Sequence, residues 1–111
     1  MTERRPRVVW AAQAQRDLRG IVLHVAADSP AAADRLFRRL REQVDRLIPL
    51  PDRGRIVPEL RDHGITRFRE LIVKPYRVVY HVTAGAVAVL AVLDTRRDLE
   101  DLLLERLTRL G

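Results

Sequence analysis

The stretch RFRELIVKPYRVVYHV, Arg67 to Val82, decides the fold of this chain. Phe68, Ile72, Tyr76, Val78, Tyr80 and Val82 share one parity, while Leu71, Val73 and Val79 place apolar side chains on the other. That is the period of a β-strand. Pro75 has no N–H to give to a ladder, so it ends one strand or marks an edge. The stretch therefore reads as a hairpin of Arg67 to Lys74 and Arg77 to Thr83. Set into it are Arg67, Arg69, Lys74, Arg77 and His81. If they converge they form an anion site; if they diverge they solubilise a face or blunt an exposed edge.

Downstream, Thr83-Ala84-Gly85 turns the chain into Ala86 to Leu93, apolar at every position, as in a central strand covered on both faces. Upstream, Asp52-Arg53-Gly54-Arg55 is a turn. Before it, the apolar period changes. From Ala12 to Ala27, Ala14, Leu18, Ile21, Val22 and Val25 recur at helical spacing, with Arg16, Asp17, Arg19 and Gly20 elsewhere on the wheel. Ser29 then serves as N-cap and Pro30 as first residue of a second helix carrying Ala33, Leu36, Phe37, Leu40, Val44, Leu47 and Ile48. Pro49 and Pro51 close it. So short a joint predicts an antiparallel helical hairpin. Val8 to Trp10 reads as an opening strand, and Leu99, Leu102, Leu103, Leu107 and Leu110 as a C-terminal helix after Asp98. The predicted class is α+β, a helical hairpin on a small antiparallel sheet in the order β-α-α-β-β-β-α, with residues 1–111 as a single domain.

Composition narrows the function. A chain of 111 residues is one domain in size, and no apolar run approaches the roughly 20 residues of a membrane-spanning helix. No membrane partner is expected. Glu3, Arg4, Arg5 and Arg7 lead to Arg16 and Asp17 without a sustained apolar core, unlike a signal peptide, so a cytoplasmic location is expected. Without cysteine there is no thiol nucleophile or zinc–thiolate cluster, and His24, His63 and His81 have no metal-ligand spacing. Ser29, the only serine, is used as a cap, and no Gly-rich loop follows a strand, so neither a serine hydrolase nor a nucleotide cofactor is supported. The expectation is no cofactor and no metal. Charge is more specific: 21 basic residues against 15 acidic give +6, and every basic residue except Lys74 is arginine. A GC-rich codon supply gives the same bias, but arginine's planar fork also suits phosphate, carboxylate and interfacial pairing.

Ala14 and Asp17-Leu18, Pro30 and Ala33, Leu47, Pro51, Gly54-Arg55, Glu59-Leu60, Arg69-Glu70-Leu71, Tyr76-Arg77-Val78-Val79-Tyr80 and Val92-Leu93 to Arg97-Asp98 together resemble the RelE/ParE toxin superfamily. The resemblance spans nearly the whole chain and rests on the ordered set. It implies a toxin encoded beside a cognate antitoxin that wraps and silences it.

Two mechanisms occur among such proteins. RelE-like members cut mRNA on the ribosome, which requires a base for the ribose 2′-OH, cations for charge on phosphorus and an acid for the leaving oxygen. Here the candidates are Arg77, Arg97 and Lys74 as cations, and Glu70, Tyr76, Tyr80 and His81 as acid or base. RelE-like ribonucleases usually carry Tyr or His near the C-terminal end; this chain has neither beyond His81, and Asp94 stands where many relatives carry His. The other mechanism, inhibition of DNA gyrase, fits the run from Gly54-Arg55 to Arg69-Glu70-Leu71 and the terminal Arg96-Arg97-Asp98 better. That reading ranks first, the ribosome and mRNA second, and a non-toxic arginine-rich binding domain third. The binding face is expected to use Arg67, Arg69, Arg77, Arg96 and Arg97, with Arg77 paired to Glu70 across the hairpin. For the antitoxin, a partly exposed apolar stripe of Ile21, Val25, Leu36, Leu40, Leu103 and Leu107 is expected.

Overall fold

The computed structural model describes residues 7–95 together with 105 and 106. Its elements are β1 (Arg7–Trp10), α1 (Ala12–Asp28), α2 (Pro30–Asp45), β2 (Arg55–Ile56), α3 (Pro58–Arg61), β3 (Arg69–Val73), β4 (Tyr76–Thr83) and β5 (Ala86–Asp94). The α+β class stands. Of the C-terminal helix expected after Asp98, only Glu105 and Arg106 are described, and both are helical. Leu99, Leu102, Leu103, Leu107 and Leu110 lie outside the described residues, as do Arg96 and Arg97.

The helical hairpin forms as its caps dictate. Ser29 is the whole joint: its N–H closes α1 on the Val25 carbonyl at 2.9 Å, and its hydroxyl accepts the Ala32 N–H at 3.1 Å to open α2. Pro30 occupies the first turn, where an absent N–H costs nothing. The second helix stops at Asp45, short of the expected Ile48, and Leu47 is buried from the turn that follows.

One sheet runs in the order β1-β5-β4-β3-β2. It is mixed rather than wholly antiparallel, because β1 lies parallel to β5 with Arg7 opposite Ala86 and Trp10 opposite Val89. Strand β2, two residues long, and the single turn α3 were not foreseen; β2 starts at the last residue of the segment read as a turn, and α3 lies in the unassigned stretch after it. As expected, β5 is central, between β1 and β4. Its uninterrupted apolar run feeds both faces through a bulge: Val79 pairs with Ala91 but Tyr80 with Val89, leaving Leu90 as the extra residue. The hairpin turn, Lys74-Pro75, sets Val73 opposite Tyr76, so an odd position faces an even one. Phe68 and Ile72 thus lie on the opposite face from Tyr76, Val78 and Tyr80, despite equal parity.

On one face, Val73, Tyr76, Val78, Val89 and Val92 pack against Ala14 and Leu18 of α1 and Leu40 and Val44 of α2. Leu40 and Val44 are fully buried, worth about 1.5–3 kcal/mol each. Leu40 is therefore core, not part of a docking stripe. On the other face, Val57, Leu60 and Phe68 cover Val79, Ala91 and Leu93.

Gly54 is where these layers close most tightly. Its φ of −73° suits any residue, but an added Cβ would lie 2.5 Å from the Glu70 carbonyl oxygen and 2.6 Å from the Tyr80 hydroxyl. Gly20, on the exposed side of α1, has nothing within 4 Å of such a Cβ. The two glycines should respond oppositely in thermal unfolding. Gly54→Ala is expected to destabilise by about 1–3 kcal/mol through overpacking. Gly20→Ala is expected to stabilise by about 0.5–1 kcal/mol through helix propensity.

Candidate functional site

The basic residues of the opening hairpin do not meet in one pocket; all but Lys74 are taken up locally. Arg77 and Glu70 share a face one diagonal apart, since the register puts Arg77 opposite Ile72 and Glu70 opposite Val79. Arg77 Nε donates to Glu70 Oε1 at 2.7 Å, and its Nη2 donates to Glu59 Oε1 at 2.7 Å. Glu70, 1% exposed, also accepts from Arg55 Nε at 2.7 Å. A four-membered chain Glu59–Arg77–Glu70–Arg55 thus clips α3 and β2 onto the hairpin. The pairing of Arg77 with Glu70 matches expectation. Glu59 and Arg55 as their further partners were missed, because 18 residues separate Glu59 from Arg77.

The other side chains, except that of Lys74, are likewise engaged. Arg69 Nη1 donates to the Gly54 carbonyl at 2.8 Å, and its Nε lies 3.5 Å from Asp52 Oδ1. Arg67 covers the Phe68 ring with its guanidinium carbon 4.7 Å from the centroid. His81 stacks on the same ring at 5.7 Å and 29°, and burial, reinforced by the nearby Arg67 charge, pushes its pKa below 6.5. Lys74 lies in the hairpin turn, where its carbonyl accepts from Arg39 of α2.

Tyr80 points to the opposite face from His81. Its buried hydroxyl donates to the Pro51 carbonyl at 2.7 Å and accepts the Gly54 N–H at 2.9 Å. Burial pushes the phenol above its ordinary 10. Both hydrogen-bonding roles are spent on the turn before β2. The acid or base candidates Glu70, Tyr80 and His81 therefore lie in three different environments, two of them sealed. Tyr76, also weighed for that role, is buried in the helix-side core.

A second region gathers on the hairpin. Trp10 at the end of β1, Leu18, Val22 and Leu23 of α1 and Phe37 of α2 line a groove of about 440 Å³, rimmed by Gln15, Arg19 and Arg41. Leu23 and Phe37 are exposed. Of the expected stripe residues, Ile21, Val25 and Leu36 are partly exposed, with Ile21 and Leu36 packed against the core on one side. Leu23 was the available signal: an apolar residue off the buried stripe of its own helix.

Asp17 is a third departure, since the wheel placed it among solvent-facing residues and its side chain is only 8% exposed. Beyond the end of β1, Asp17 Oδ2 accepts the Val92 N–H at 3.0 Å and Arg106 Nη1 at 2.6 Å, while Oδ1 accepts Gln13 Nε2 at 3.1 Å. A carboxylate completes the ladder where the edge strand is too short.

Residues 8–99 match the family described as the ParE toxin of type II toxin-antitoxin systems, parDE. The chain belongs to that family, within the RelE/ParE superfamily of toxins. It is similar to Toxin RelE2 of Caulobacter vibrioides, 34% identical over 91 residues that cover 81% of this chain and 96% of the relative. Its fold matches a chain of the solved chromosomal ParDE TA system from P. aeruginosa. The TM-score is 0.65 at 21% identity, over 84% of this chain and 98% of that one. Membership of a toxin-antitoxin system brings with it a cognate antitoxin as partner.

Two outcomes follow from the charge chain. Arg77→Ala leaves two carboxylates without their shared donor and should cost about 3–5 kcal/mol in denaturant unfolding. Hydrogen bonding by Arg77, opposed by burial, holds the Glu59 carboxyl below its ordinary 4.5. A depressed folded pKa contributes stability that is present above 4.5 and lost as pH falls through the folded value. Stability profiles taken downward from pH 5 should therefore fall more steeply for the wild type than for Glu59→Gln.

Proposed function

We propose that this toxin acts on DNA gyrase in the cytoplasm and is silenced by an antitoxin that covers its helical hairpin. One observation carries the choice of target. Among the described residues, three of the groups that metal-free RNA cleavage would recruit, Glu70, Arg77 and Tyr80, are already committed to the fold. Glu70 is sealed between two arginines, Arg77 between two carboxylates, and the Tyr80 hydroxyl is spent on Gly54 and Pro51. A buried guanidinium with two carboxylate partners would have to give up one of them to reach a scissile phosphate. Inhibition of a protein target asks less: a scaffold and an exposed basic surface, such as Arg35, Arg38, Arg39, Arg41 and Arg46 present on α2 and just after it. The match to the ParE family supports the same reading. A ribosome-dependent ribonuclease is the competing one, because the Caulobacter relative is named a RelE toxin.

Regulated expression in a bacterial host separates the two. The expected result is growth arrest with SOS induction and DNA breaks, intact transcripts, and rescue by the co-expressed antitoxin. Toxicity should persist in a Lys74→Ala/His81→Ala double variant, which removes cleavage candidates outside the charge chain. Transcript cleavage on ribosomes without SOS induction, abolished in that variant, would overturn the gyrase reading.

A further inference from the structure

The groove on the hairpin contains a charge that the fold itself does not use. Arg41 of α2 stands with its guanidinium carbon 5.7 Å from the centroid of Trp10 and 5.7 Å from that of Phe37. Two aromatic rings thus hold it in place by cation–π attraction. Among the described residues, it makes no hydrogen bond or ion pair. Its situation contrasts with that of Arg38, Arg55, Arg69 and Arg77, each paired with a carboxylate. A fork of donors is therefore placed against two rings with its hydrogen-bonding capacity unspent among the described residues, at the rim of an apolar floor made by Leu18, Val22 and Leu23.

We propose that Arg41 is the specificity-determining residue of this groove, reading one carboxylate of an acidic amphipathic segment of the antitoxin whose apolar residues fill the space between Trp10, Leu23 and Phe37. The proposal rests on the reading that the antitoxin covers the hairpin, and adds to it the chemistry of recognition. An apolar occupant alone would leave the guanidinium covered and unpaired, which is costly. A carboxylate suits the planar fork through two parallel hydrogen bonds, and its own apolar neighbours displace water from the floor. A nucleic-acid backbone fits poorly, because it would lay phosphates along apolar side chains that cannot hydrogen-bond them. Arg19, also on the rim, adds positive charge on the α1 side and steers the acidic segment. A partner with glutamine or lysine at the matching position would be rejected through the unpaired or repelled charge.

The test uses the full-length toxin and the purified antitoxin encoded beside its gene, with binding measured by titration calorimetry. Arg41→Gln should weaken binding by roughly 30-fold or more, the scale for truncating one partner of a desolvated charge pair. Arg41→Lys, which keeps the charge but not the fork, should recover only part of the loss, with the circular dichroism of both variants unchanged. Leu23→Ser should weaken binding independently, since it tests the floor and not the charge. Arg41→Glu should be rescued by one Glu→Arg or Asp→Arg replacement in the antitoxin. A wild-type complex that loses affinity with Leu23→Ser but stays within about 3-fold with Arg41→Gln would overturn the role of Arg41 while keeping the docking surface. Loss of affinity for duplex DNA in Arg41→Gln, with antitoxin binding intact, would assign the charge to nucleic acid and overturn the proposal. Failure of the wild-type protein to bind the antitoxin would overturn the docking reading itself, and with it this inference.

Discussion

The buried ion pair between Glu70 and Arg77 is the constraint around which one face of this molecule is arranged. Two adjacent strands supply the charges, and neither could remain buried without the other. Each is then completed from outside the hairpin, Glu70 by Arg55 of β2 and Arg77 by Glu59 of α3. The short elements are thereby held in place. A two-residue strand and a four-residue helix have almost no intrinsic stability, so their position depends on these contacts and on the few apolar residues they carry. Such a pair need not add net stability over an apolar substitute, because desolvation offsets much of the attraction. Its contribution is geometric: it ties β2 and α3 to the hairpin at defined points.

That arrangement bears on function by subtraction. Charges used in holding the lid are withdrawn from the surface, and the tyrosine most suited to proton transfer is withdrawn by the Gly54 turn. What the fold leaves exposed is a set of arginines on α2 and a groove on the helical hairpin with Arg41 at its rim. Both underlie the proposed reading, in which the toxin acts by binding.

The helical hairpin was legible because its signals are local: an N-cap serine, a first-turn proline, and apolar residues every three or four positions up to a pair of prolines. The hairpin of strands was legible from alternation, and the central strand from an unbroken apolar run. The parallel pairing of β1 with β5 was not, because nothing in four residues records which distant strand they will meet. Equal parity in β3 and β4 misled about faces, since a two-residue turn sets odd against even. Of the candidate residues, Arg77 with Glu70 was readable because both lie in one hairpin. Leu40 was misplaced, and Trp10, Leu23, Phe37 and Arg41 were overlooked, because burial on a helical wheel depends on what packs against it.

Sequence by itself determined the segments, the superfamily and the positive charge, all properties carried by neighbours along the chain or by composition. Tertiary structure alone decided which charges are spent. Glu59 and Arg77, Asp17 and Val92, and Tyr80 and Gly54 are brought together across 18, 75 and 26 residues. An ionisable side chain held between partners from separate elements is structural, and the same side chain left at a groove is free to recognise another molecule. That distinction depends on distance and desolvation in three dimensions, and neither is written in residue order.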